Sequence, residues 1–105
     1  MDNSERLDRP SSLAHCGPMT PAEAQALADI IGFARSGRWV LSVHAKRRAS
    51  ERGISMADVR CALTTATTCR DQRDGTWKVP SKDTCGDELT AIVALEDGVL
   101  VVTLF

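Results

Sequence analysis

The spacing of apolar residues changes period once along the chain, close to Ala66. Before that point it is helical. Leu27, Ile30, Ile31 and Ala34 form one stripe, and Met56, Val59, Ala62, Leu63 and Ala66 form another. The helices these stripes predict have clear start signals. In "TPAE", Thr20 is an N-cap, Pro21 suits the first helical position and Glu23 closes a capping box; "SGR" ends this helix, with Gly37 as the C′ residue. Ser42 caps a second helix, roughly 43–52, which Gly53 stops. Ser55 caps a third, with Asp58 completing its capping box. "RWVLS", between the first two helices, reads as a short extended link.

Beyond Ala66 the pattern alternates. "TTCRDQR" and "TWKVP" flank Asp74-Gly75, and "ELTAIVAL" and "VLVVTLF" flank Asp97-Gly98. Both dipeptides are type I′ hairpin signals. The last two strands are apolar on both faces, so they are expected to be central and covered by helices on at least one side. The predicted order is α-α-α-β-β-β-β. It describes an α+β domain with three N-terminal helices packed on one antiparallel four-stranded sheet over residues 20–105. Residues 1–19 are polar and broken by Pro10, Gly17 and Pro18, and are expected to form a flexible tail.

The length of 105 residues suits one small core, and 43% hydrophobic with 26% charged residues is an ordinary globular balance. No apolar run approaches the ~20 residues of a membrane span, and the N-terminus has no apolar segment after its charges; a cytoplasmic location is expected. The four cysteines, at 16, 61, 69 and 85, include no C-x-x-C pair. This argues against zinc and for free structural thiols, and no metal or cofactor is expected.

Charge changes the picture more than composition does. The net charge of −1 divides into −3 over residues 1–34, +7 over 35–82 and −5 over 83–105. A basic middle in a near-neutral chain is explained either by an anionic partner on one face or by internal pairing with the acidic ends. The density is greatest in "HAKRRASERGI", residues 44–54. His44, Arg48 and Arg52 recur at i, i+4 and i+8, so they share one flank of the second helix, drifting by only ~40° per step. Ala45 and Ala49 mark its packing side, and Lys46 and Arg47 point further into solvent. Arginine forks match phosphate oxygens in two-pronged geometry, and histidine is the residue type that moves a proton near neutral pH. The alternative is that Arg48 and Arg52 brace the helix against acids such as Asp58, Asp87 or Glu88. The sheet adds Lys78 on one face of a strand and Trp77 on the other, where the Trp either stacks on a base or belongs to the core. Arg70 and Arg73 lie on the preceding strand or its turn. Thr103 is the polar exception in an apolar strand.

"HAKRRASERGISMADVRCAL" reads as H-A-x-x-R-x-x-x-R-G-I-x-x-x-D-V-x-x-A-L. This resembles the hallmark of the bacterial domain-of-unknown-function family 4258, whose members end in a hairpin of the type "LTAIVALEDGVLVVTLF". The order of elements over residues 22–105 also resembles the MqsR ribonuclease toxins of the RelE-like superfamily. The resemblance implies a RelE-like fold and metal-independent RNA cleavage, in which a 2′-hydroxyl attacks the adjacent phosphate while cations stabilise the developing charge. On that reading His44, Arg48, Arg52 and Lys78 are the catalytic candidates, and Lys46, Arg47, Arg70, Arg73 and Trp77 contact RNA. The partners are RNA and an antitoxin encoded nearby. The chain departs from the toxins in having no Tyr, and Gln72 matches their sheet glutamine only loosely. A non-catalytic protein-interaction module of the same fold is the second expectation.

Overall fold

The computed structural model of the chain describes residues 18–105, so most of the expected tail lies outside the described residues. Three helices, α1 (Pro21–Arg35), α2 (Val43–Arg52) and α3 (Met56–Thr65), accompany five strands. The strands are β1 (Trp39–Leu41), β2 (Arg70–Asp71), β3 (Thr76–Lys82), β4 (Glu88–Glu96) and β5 (Gly98–Leu104). All three helix starts form as the cap residues dictate. Thr20 Oγ1 accepts from the Glu23 N–H at 3.1 Å while Glu23 Oε1 accepts from the Thr20 N–H at 2.9 Å. Ser42 Oγ accepts from the Ala45 N–H, and Ser55 and Asp58 exchange a reciprocal pair. Gly53, at φ 67°, ends α2 in the left-handed conformation, and Ile54 N–H then closes back on the Ala49 carbonyl at 2.8 Å.

The sheet has five strands in the order β1-β5-β4-β3-β2 and is mixed, which corrects the expected four-stranded antiparallel sheet. The extra strand is the "RWVLS" link, which pairs parallel to β5 with Trp39, Val40 and Leu41 opposite Val99, Leu100 and Val101. Three residues are too few for alternation to declare a strand, and its partner lies at the far end of the chain. Val79, Leu89, Ala91, Val93, Val99 and Val101 alternate onto one face and are buried there against Ile30 and Ala34 of α1 and Val59 and Leu63 of α3. Met56, expected in the α3 stripe, is 56% exposed: it begins the helix, and the stripe is buried only from Val59 onward. Among the described residues no helix is long and apolar enough to cross a membrane.

Neither hairpin forms the expected two-residue turn. Leu95 pairs with Val99 and Glu96 with Gly98, leaving Asp97 alone at the apex. In the other, Gln72 N–H donates to the Thr76 carbonyl at 3.1 Å, and residues 73–75 form the loop, with Arg73 at φ 64°. The cause is visible in the aspartates. Asp71 Oδ1 accepts from the Arg73 N–H at 2.7 Å and Asp74 Oδ1 from the Thr76 N–H at 3.0 Å, local bonds that favour the wider loop. Gly98 is required for a different reason: a Cβ there would sit 2.7 Å from the Arg38 carbonyl, which receives the Val99 N–H.

A bulge then resets the β4–β5 register. Val93 faces Val101 but Ile92 faces Thr103, so Val102 is an extra residue on β5. The reset turns Leu104 into the core and leaves Thr103 beside Ile92 on the opposite face, which accounts for the polar exception.

Glu23 is the buried acid of the domain. Besides capping α1, its Oε2 accepts from the Asp71 N–H at 2.9 Å, and Arg70 Nη1 lies 3.6 Å from its Oε1. These donors, chiefly the Asp71 and Thr20 amides, hold its carboxyl below the usual glutamate range against the opposing effect of burial. Cys69 Sγ donates to the Glu23 carbonyl at 3.0 Å, and burial pushes that thiol up to about 11, with the charge of Glu23 adding to it. Asp58 ties a further loop to α3. It accepts from the Thr84 hydroxyl and amide as well as from Ser55, and these donors, the Thr84 hydroxyl foremost, hold its carboxyl well below the usual range.

Two predictions test this frame. Val93→Ala or Val101→Ala removes packing from fully buried, paired positions and is expected to cost about 1–3 kcal/mol, read from denaturation midpoints, with Asn costing more. Glu23 is more acidic folded than unfolded, so its contribution is complete at neutral pH and is lost as pH falls below the ordinary carboxylate range. Glu23→Gln should therefore lower stability at pH 7 and flatten its decline on acidification, measured as melting temperature against pH.

Candidate nucleic-acid interface

β1 ends at Leu41 while β5 continues to Leu104, so the outer edge of β5 outruns its neighbouring strand. α2 takes over that edge. Ser42 N–H donates to the Val101 carbonyl at 2.9 Å, completing the ladder. Ser42 Oγ then donates to the Val102 carbonyl at 2.7 Å, and Arg48 Nε to the Leu104 carbonyl at 3.2 Å. Small Ala45 and Ala49, both buried, allow the helix to lie close. The basic helix is thus fixed along the sheet edge by its own side chains.

The nine predicted site residues divide among three places. On α2, His44, Lys46, Arg47 and Arg52 are exposed and Arg48 is half-buried. His44, Arg48 and Arg52 share a flank, as their spacing requires, with Arg48 nearest the sheet. Lys46 falls on the opposite flank of the buried alanines, so the cations surround the outward side of the helix and do not form a single wall. Arg48 is a brace, but to a strand carbonyl and not to Asp58, Asp87 or Glu88.

Lys78, Arg70 and Arg73 lie on the β2–β3 hairpin. Lys78 is exposed and stands directly opposite Arg70 on one side and Ile92 on the other. The sheet order separates it from α2 by β4 and β5; at ~4.8 Å per strand, β3 is ~10 Å from β5. Lys78 therefore does not complete the α2 row, a correction that only the strand order could supply. Arg73 is exposed in the loop, as is Gln72. Trp77 is in the third place. It faces Val93 on the helix-covered side of the sheet, half-buried against the core, and is turned away from Lys78.

Comparison with family models, with curated proteins and with solved structures gives no match.

His44 and Arg52 are eight positions apart on α2, about 12 Å along the axis at 1.5 Å per residue. A base, an acid and charge-stabilising groups acting on one phosphate must come within hydrogen-bond reach of it, about 3 Å. His44, Arg52 and Lys78 are spread more widely than that. What the helix offers is a series of separate cations, a geometry suited to successive phosphates along a strand. The role of Ser42 and Arg48 in closing the β5 edge was not legible beforehand, because it depends on the parallel β1–β5 pairing.

Arg48→Ala removes one edge hydrogen bond and the packing of the arginine stem. It is expected to lower stability by about 0.5–1.5 kcal/mol in a denaturant titration, whereas Arg47→Ala, at an exposed position without a bond, should leave the midpoint within about 0.5 kcal/mol of wild type.

Proposed function

We propose that the chain is an RNA-binding protein of the RelE-like toxin type, which meets the RNA backbone through α2 and is held in check by an antitoxin partner. One observation carries this reading. Among the described residues no basic residue of α2 takes part in an ion pair, whereas Arg38 pairs with Asp97 and Arg70 with Glu23. The described acids therefore do not absorb the charge of α2. Glu23 and Asp58 are engaged as helix caps and loop ties. Exposed guanidinium and ammonium groups at fixed positions favour a polyanion, and phosphate is the anion that arginine forks match. The element order alone adds the toxin resemblance, which supplies RNA as the polyanion, while the H-A…R…R-G-I motif resembles the domain-of-unknown-function family 4258.

Metal-independent cleavage is the finer form of the proposal. In it His44 is the proton carrier at one phosphate, while Arg52, about 12 Å further along the helix, holds a neighbouring phosphate of the strand; the chain has no Tyr to serve as base or acid. The second reading, a protein-interaction module, draws on the sheet face turned away from α1 and α3, which carries no helix among the described residues and leaves Val40 61% exposed.

Labelled RNA titrated at several salt concentrations separates these readings. Arg47→Ala and Arg52→Ala should each weaken binding uniformly across RNA sequences and reduce the salt slope by about one phosphate contact, with the melting temperature nearly unchanged. His44→Ala should spare binding and abolish cleavage. A well-folded wild-type chain that binds no RNA at low salt ends the nucleic-acid reading.

A further inference from the structure

Residues 50–57, from the last turn of α2 into the first of α3, are exposed apart from half-buried Ile54. No side chain between Ala49 and Ile54 is buried, so the last turn of α2 can open without uncovering the core. Ser50 stands in that turn, exposed, and its hydroxyl makes no hydrogen bond among the described residues. Other hydroxyls close to basic residues are engaged with the main chain. Ser36 donates to the Phe33 carbonyl, Thr64 and Thr65 to the Cys61 carbonyl, and Ser42 and Ser55 cap their helices. Lys46 and Arg47 precede Ser50 by four and three positions, the spacing at which side chains on a helix meet. Both are exposed and take part in no ion pair among the described residues.

We infer that Ser50 is a phosphorylation site whose phosphate closes onto Lys46 and Arg47. The phosphoryl donor is ATP, and the catalyst is a serine kinase that reads a basic residue ahead of its target. The Ser50 hydroxyl oxygen bonds to the γ-phosphorus, the bond from that phosphorus to the bridging oxygen breaks, ADP leaves, and the hydroxyl proton passes to the kinase's base. Arg47 is open for such a kinase to read, whereas Arg48 is bonded to the Leu104 carbonyl. The phosphate carries about −1.5 to −2 at pH 7 and three strong acceptor oxygens. Lys46 and Arg47 match that charge through charge-assisted hydrogen bonds. Opposing them is the negative end of the helix dipole, only about half a charge. Glu51, as the next residue, does not face Ser50. The consequence for RNA rests on the reading of α2 proposed above: the modification withdraws two cations from its outward side and adds negative charge there.

The test incubates the full chain with ATP and the catalytic subunit of a basophilic serine kinase, and maps the product by mass spectrometry. One phosphate on Ser50 is expected, with none on Ser50→Ala. Phosphorus NMR then follows the phosphate against pH. Its second pKa should lie below the ordinary value of about 6 and return toward it in Lys46→Ala. In labelled-RNA titrations the phosphorylated chain should bind about tenfold more weakly, with a salt slope smaller by about two phosphate contacts. Ser50→Ala taken through the same incubation should bind as the untreated wild type does. No incorporation, incorporation that Ser50→Ala retains, an unshifted phosphate pKa, or unchanged RNA affinity after phosphorylation overturns the inference. An untreated chain that binds no RNA at low salt sinks the RNA reading alone. The phosphate contact is then decided by the pKa, a lowered value upholding it and an unshifted one rejecting it.

Discussion

Ser42 and Arg48 stand where a strand would otherwise have to lie. Past Leu41 the edge of β5 presents the carbonyls of Val102 and Leu104, and a polar backbone group shut away without a partner costs about 1–3 kcal/mol. One hydroxyl and one guanidinium satisfy them from the first turns of α2. The same two contacts set where the helix lies and which side it shows to solvent. Ala45 and Ala49 face the core, and His44, Lys46, Arg47 and Arg52 are left outside. The most basic element of the chain is thus held at the sheet edge by an interaction that fixes the presentation of its charge.

Among the described residues that charge forms no ion pair. Two acids elsewhere in the domain are committed to backbone amides. Glu23 satisfies α1 and the edge strand β2, and Asp58 satisfies α3 and the loop carrying Thr84. Carboxylates in such positions serve as hydrogen-bond acceptors first, which is why their titration is displaced downward. Across the sheet, Arg70 and Lys78 are directly opposed like charges, an unfavourable pair that the proximity of Arg70 to Glu23 offsets.

The molecule therefore has two surfaces of different chemistry that meet along β5. The outward side of α2 is polar, cationic and suited to phosphate. The sheet face turned away from α1 and α3 is aliphatic at Val40, Leu100, Ala94 and Ile92, with both Lys78 and Glu96 beside them. The fold alone assigns no use to either surface.

The local grammar of the chain was largely legible. Thr20, Ser42 and Ser55 started their helices and Gly53 ended one, because caps act on amides within three or four residues and need no distant partner. Val93 and Val101 were recognisable as core from the uninterrupted apolar runs around them, and the cationic flank of α2 from its spacing. What the sequence could not disclose depended on residues far apart in the chain. The short "RWVLS" segment became a parallel strand only because β5 lay beside it, and the Val102 bulge reset which side of the last strand is inside. The strand order then placed Lys78 two strands from β5, at whose edge α2 lies, and turned Trp77 into the core. Helix periodicity determines which residues share a flank. Only the packing of strands determines what that flank faces, because a sheet brings together backbone edges that no local pattern records.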